Sequence, residues 1–154
     1  MKSPKKSIVC LSVLLILIAI YFMFRETSGG VQSIPIQDGV QIISISRIKK
    51  NDETVSNYSV SGDEIEDDLS VALLDRLCNY SMTVHPISAH ENMYMTESYD
   101  HISLWLQRAD SSTFRINISS EKNYSNVEYD GRYFGIKDSV HLLQEVGALL
   151  DNKT

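Results

Sequence analysis

Residues 8–24, IVCLSVLLILIAIYFMF, form the stretch on which the interpretation of the whole chain depends. They contain one serine and no charge, and a helix of this length, rising about 1.5 Å per residue, spans most of a bilayer core of about 30 Å. Three lysines precede the stretch and Arg25 follows it, so the positive-inside rule places the N-terminus in the cytoplasm and residues 26–154 outside. The sequence therefore predicts a single-pass membrane protein that contacts the lipid bilayer through residues 8–24.

A cleaved secretory signal is the alternative to a retained anchor. Such a signal has a basic start, an apolar core of about 7–15 residues and a small-residue cleavage site. The basic start fits, but the apolar run is longer, and Thr27 and Gly29 are the only nearby small pair. A lipoprotein linkage through Cys10 is rejected. A lipidated cysteine follows the apolar core of its signal, whereas Cys10 precedes most of the apolar run. We therefore expect a cytoplasmic N-terminus at 1–7, an anchor at 8–24, a spacer at 25–38 and an extracytoplasmic domain at 39–154.

The domain beyond the anchor is strongly acidic. Four of the 14 basic residues lie at or before Arg25, whereas all 20 acidic residues follow it. This balance argues against nucleic acid as a partner and is most simply explained by solubility. Cys78 is the only cysteine beyond the anchor, which excludes an intramolecular disulfide, and its position beside Leu74 and Leu77 in a predicted helix indicates burial. Asn-x-Ser/Thr sequons, which only a glycosylating host would use, begin at Asn57, Asn79, Asn117, Asn123 and Asn152.

Hydrophobic periodicity predicts the elements of the domain. Strands are expected at 40–50, 54–60, 101–108 and 113–118, and Asp130-Gly131 is a favoured hairpin turn between two more. Asp63, with Glu66 three residues later, marks the start of a helix at about 64–80, and Asp138 caps a second helix. The fold class predicted is α+β: an N-terminal transmembrane helix, then a small antiparallel sheet with two helices on one face, in the order β-β-α-β-β-β-α.

The polar segment at 81–100 holds the candidate metal ligands. His85, His90, Met93 and Met95 are side chains that could hold copper or zinc, although their spacing is loose and such residues more often pack in a loop. The contiguous acids at 63–68 lack the alternation and the glycine of a Ca²⁺ loop, so a solvated helix start is expected there.

The sequence contains no motif that carries catalysis. It has no Gly-x-Ser-x-Gly elbow, no His-Glu-x-x-His and no glycine-rich phosphate loop. We therefore expect no catalytic residue, no cofactor and no enzymatic activity. The alternative is a cell-envelope hydrolase or a copper- or zinc-binding protein that uses the histidines and methionines of the 81–100 segment.

Three aromatic residues, Trp105, Tyr129 and Tyr133, are candidates for an exposed recognition strip. Trp105 lies opposite the apolar face of its predicted strand, and exposed aromatic residues over an acidic surface suit recognition of a protein or a glycan. A loop or strand that covers them is an equal alternative. The function predicted is non-catalytic binding, or regulation of an envelope or membrane protein partner, and a purely structural spacer is a further possibility.

The closing run YDGRYFGI at 129–136 follows an Ile-rich strand at 42–45, a helix at 65–77 and a strand at 102–106. In this order of elements, the chain from Val40 onward resembles small uncharacterised extracytoplasmic domains of Gram-positive bacteria, found behind signal anchors or lipoprotein signals. The resemblance implies an envelope location and no known activity.

Overall fold

The computed structural model describes residues 30–84, 86–87, 98–121 and 124–152. From Val31 onward they belong to one compact unit. Its elements follow in the order β1 (Val31–Ser33), β2 (Gln41–Asn51), β3 (Thr54–Ser61), α1 (Asp67–Cys78), β4 (Ser81–Thr83), β5 (Tyr99–Gln107), β6 (Thr113–Ser119), β7 (Asn126–Tyr129), β8 (Arg132–Gly135) and α2 (Ser139–Asp151).

Six of the strands form one antiparallel sheet in the order β3-β2-β5-β6-β7-β8, while β1 and β4 pair separately. Strict alternation in β5 and β6 sends every second side chain to one face. The register sets Ile102 opposite Ile118, Leu104 opposite Ile116 and Leu106 opposite Phe114. All six of these side chains are buried, so this face of the sheet is one wall of the core.

Both helices contribute to the same core as that face of the sheet. The buried residues of α1 recur every four positions, as do three of those of α2, which gives each helix one apolar side. They are Leu69, Leu73 and Leu77 in α1, and Leu142, Val146 and Leu150 in α2. The sheet therefore has a helix side, which is apolar, and an opposite face, which we call the open face.

Strand β2 reaches the core on both sides of a bulge. Its sequence has adjacent isoleucines at 42 and 43, which strict alternation would send to opposite faces. The register with β5 shifts between Ile42 and Ser44, so one extra residue is accommodated there. Ile42 and Ile45 are consequently both buried, although three positions separate them.

The first helix begins later than the sequence predicts. A 3₁₀ turn, Gly62–Glu64, replaces the expected first helical turn after Asp63, and α1 begins only at Asp67. Between them Ile65 is extended and 8% exposed. Because burying this side chain requires the chain to leave the helical conformation, the capping-box pattern at 63–66 does not start the helix.

Cys78 is exposed, so the prediction of a buried thiol is wrong. The buried residues of α1 are Leu69, Leu73 and Leu77, and Cys78 lies about 100° further round the helix than Leu77. The cysteine therefore points away from the core.

The predicted fold class is also contradicted. In the part of the chain that the structure describes, strands predominate, and no helix is long and apolar enough to cross a membrane. The helices α1 and α2 have 12 and 13 residues, and a span of a bilayer takes about 20. The stretch at 8–24, on which the transmembrane prediction was based, lies outside the described residues. The single-pass topology, the signal anchor and the location with an outer C-terminal domain are corrected accordingly.

Candidate functional site

The open face of the sheet carries a row of polar side chains that are neighbours across four strands. Ser46 pairs with Ser103, Ser103 with Asn117, and Asn117 with Asn126. The Ser103 hydroxyl donates to Asn117 Oδ1 at 3.1 Å, and Asn117 Nδ2 donates to Asn126 Oδ1 at 3.0 Å. These bonds satisfy polar groups that the apolar helix side could not accept, and they fix the orientation of both amides.

A second row, which we call the Trp105 row, lies next to the first and contains Trp105, Arg115, Glu128 and Tyr133. Each residue is the register partner of the next across β5, β6, β7 and β8. The Arg115 guanidinium lies over the indole of Trp105, 5.2 Å from the ring centroid, and an Arg115 nitrogen forms an ion pair with Glu128. Trp105 is 41% exposed. The row therefore presents a partly exposed indole that makes a cation–π contact with Arg115.

The structure brings two of the three predicted recognition residues to one face. Trp105 and Tyr133 belong to the Trp105 row. Tyr129 packs instead against the core on the helix side, where the Arg108 guanidinium lies 4.2 Å from its ring centroid. The reason is the hairpin register: Tyr129 pairs with Arg132 and Glu128 pairs with Tyr133, so the two tyrosines point to opposite faces.

His101 lies at one end of the open face and was not a candidate from the sequence. Burial lowers its pKa below the usual value of 6.5, and the charge of Arg115 lowers it further, while Asp100 acts in the opposite direction. The adjoining segment folds back on itself, since the Ser119 N–H donates to the Ser125 hydroxyl and that hydroxyl donates to the Ser119 carbonyl. The lowered pKa keeps the histidine neutral at pH 7.

A polar cleft of about 400 Å³ lies where α1 ends and α2 begins. The Tyr80 hydroxyl donates to Glu145 Oε2 at 2.8 Å and lies 2.5 Å from His141 Nδ1. Because the single hydroxyl proton goes to Glu145, Nδ1 must carry a proton and donate it to the Tyr80 oxygen. Burial, together with Glu145, raises the pKa of Tyr80. The three side chains thus form one chain of hydrogen bonds in which the tyrosine stays protonated.

The charges that line this cleft are largely balanced within it. Arg76 lies 3.8 Å from Glu145, and Lys137 is accompanied by Asp138. The cleft does not have the excess of one charge that would select a cation or an anion. Among the described residues there is no group of three or more His, Cys, Asp or Glu side chains that could hold a metal ion.

The metal-binding candidates from the sequence, His85, His90, Met93 and Met95, lie outside the described residues. A copper or zinc site formed by them stays a prediction. Arg115, Glu128 and the two asparagines of the polar row could not be recognised as site residues from the sequence. Each is a polar residue in an alternating strand and becomes distinctive only through its neighbour on the next strand.

Comparisons of this chain with protein-family models, with curated proteins and with solved structures gave no match. The resemblance to extracytoplasmic domains of Gram-positive bacteria stays a prediction.

Proposed function

We propose that this domain is a non-catalytic binding module that recognises a protein partner through the open face of its sheet, with Trp105 at the centre of the contact. The observation that carries the proposal is the presentation of this side chain: its indole is 41% exposed and lies beside a guanidinium that is itself paired with Glu128.

Trp, Tyr and Arg are the residue types that contribute most to binding at protein interfaces. The Trp105 row supplies all three on neighbouring strands of one sheet. Because Arg115 is restrained by Glu128 and flanks the indole, less side-chain freedom is lost when a partner covers the row. The row is therefore preorganised for contact.

The chemistry of the face favours binding over catalysis. Arg115 and Glu128 neutralise each other, and partial burial of His101 lowers its pKa, which favours the neutral ring. The polar row offers hydroxyl and amide groups that already bond to one another. A fitting partner surface is one without strong charge, with an apolar centre to cover the indole and hydrogen-bonding groups around it.

The test is site-specific photo-crosslinking in the full chain. A photoreactive phenylalanine analogue at Tyr133, in the Trp105 row, should capture a discrete protein partner. The same analogue at Val140, which is 48% exposed on α2, should not. Adding Trp105→Ala should abolish capture from position 133, and Arg115→Gln should weaken it.

Equal capture from both positions, or capture that survives Trp105→Ala, would contradict the proposal. The chain has one tryptophan, so its fluorescence reports directly on this face. A saturable fluorescence change with soluble oligosaccharides, in the absence of any crosslinked protein, would replace the protein partner with a glycan.

A further inference from the structure

Strand β3 is an exposed edge, and among the described residues it has none of the usual protection against strand pairing. It lies at one end of the six-stranded sheet, and in the described part of the chain its outer side borders no other strand. Natural edge strands are commonly protected by lysine, proline, a bulge or a covering segment. The sequence of β3, TVSNYSVS, has no charge and no proline, and it pairs with β2 without a register shift over all eight residues.

The free hydrogen-bonding groups of this edge can be assigned from the hairpin. Strands β2 and β3 are joined by the two-residue turn at 52–53, so the flanking pair Asn51–Thr54 is hydrogen-bonded and the pairs alternate from there. The backbone groups of Val55, Asn57, Ser59 and Ser61 therefore point away from β2. A second observation leads to the same assignment. The Arg108 N–H donates to the Ser112 carbonyl at the β5–β6 turn, and this bond fixes which residues of β5 face β6 and which face β2. Carried through the registers of β5 with β2 and of β2 with β3, it again leaves these four residues of β3 facing outward.

Acidic residues flank this edge at both ends. Asp52 and Glu53 precede β3, Asp63 and Glu64 follow it, and all four are exposed. If β3 of a second copy paired antiparallel to this strand, the acids before β3 in one copy would lie beside the acids after β3 in the other. If it paired parallel, each pair of acids would lie beside the same pair in the other copy. Since like charges across a strand pair are destabilising, self-pairing is disfavoured. A strand with basic residues at both ends is complementary.

We propose that the outer edge of β3 is a strand-addition site for an extended segment of a partner protein, with an uncharged, β-branched centre and Lys or Arg at both ends. Backbone hydrogen bonds to Val55, Asn57 and Ser59 provide affinity, and the flanking acids select the basic ends. This edge is two strands away from β5, which carries Trp105, so it does not depend on the Trp105 row.

The test uses a fluorescent peptide, KRTVTVTVRK, and the full chain, with binding followed by fluorescence anisotropy. Ser59→Pro removes one outward N–H but no hydrogen bond to β2, so it should retain the fold and weaken binding by about tenfold or more. Ser59→Ala is the matched control, since it keeps the N–H, and it should change the affinity less than about twofold. Trp105→Ala should leave peptide binding unchanged, which separates this site from the proposed function.

Two further peptides test the same claim without altering the protein. Replacing the terminal Lys and Arg residues by Glu should abolish binding, and N-methylation of all the central peptide nitrogens, which blocks both edges of the peptide strand, should do so even if Ser59→Pro disturbs the fold. Failure of the basic peptide to bind the wild-type chain would overturn the proposal, as would binding that persists with the N-methylated peptide. A wild-type dimer that Ser59→Pro dissociates would also overturn it, because the occupant would then be a second copy.

Discussion

Replacing Arg47 tests how the sheet is tied to the second helix. The side chain of this β2 residue is 8% exposed on the helix side. Its Nε and Nη2 atoms donate to the two carboxylate oxygens of Asp100 on β5, at 2.9 and 2.7 Å. Its Nη1 atom donates to the Gly147 carbonyl of α2 at 3.1 Å and to Asp151 at 2.6 Å. One guanidinium therefore joins two strands and the C-terminal half of α2.

The substitution Arg47→Met removes the charge and keeps an unbranched apolar stem. Asp100, with a side chain 18% exposed, would lose both of its bonds to the guanidinium. Removing one partner of a buried ion pair costs about 3–5 kcal/mol. Asp151 is 57% exposed and can rehydrate, so its loss should add less than about 1 kcal/mol. Because Asp100 retains some solvent contact, we expect the lower end of the range, about 3 kcal/mol.

The measurement is urea unfolding, followed by the fluorescence of Trp105 and by far-UV circular dichroism. Arg76→Met is the matched control, since Arg76 is 48% exposed and lies 3.8 Å from Glu145, so it should cost less than about 1 kcal/mol. The double variant Arg47→Met with Asp100→Asn should recover at least about 1.5 kcal/mol of the loss, because no unpaired carboxylate remains. If Arg47→Met costs no more than the control, or if the double variant recovers nothing, the reasoning is wrong.

Three further predictions concern the contact of Arg47 with α2, the histidine on the open face and the polar cleft. Gly147→Ala should lower the free energy of unfolding, because the new Cβ would lie 3.1 Å from Arg47 Nη2. This contact should outweigh the usual gain of about 1 kcal/mol for Ala over Gly in a helix. In the Arg47→Met background the contact is absent, so there the same change should raise the urea midpoint. Lowering the pH from about 7.5 to 5.5 should destabilise the wild type by up to about 1.4 kcal/mol. His101 in the unfolded chain takes up a proton near its usual pKa of 6.5, whereas in the folded chain its pKa is lower and it stays neutral over more of this range. Between the two pKa values the unfolded state binds more protons, so stability rises with pH, and the fall should disappear in His101→Gln; identical profiles would contradict this. Tyr80→Phe should cost about 1–2 kcal/mol in urea unfolding, because Glu145 loses a hydrogen bond; an unchanged midpoint would mean that this bond contributes nothing.

The parts of the fold that can be predicted from sequence are those with a clean hydrophobic period. The alternation of Ile102, Leu104 and Leu106 indicates one apolar face, and all three are fully buried. The strands β1 and β4 have three residues each, too few to show a period. The late start of α1 depends on Ile65 reaching the core, which a local capping pattern cannot report.

The open face shows why the site was harder to predict than the core. Burial on the helix side requires only that apolar residues recur, and a single strand displays that pattern. The Trp105 row depends instead on register: Arg115 meets Trp105, and Glu128 meets Arg115, only because the β5–β6 and β6–β7 connections set those residues opposite one another. A shift of one residue would send Arg115 to the helix side, where its charge would be unpaired in the core. The same apolar alternation that builds the core therefore also holds the Trp105 row together, so the ion pair and the exposed indole follow from the register even though no single strand reveals them.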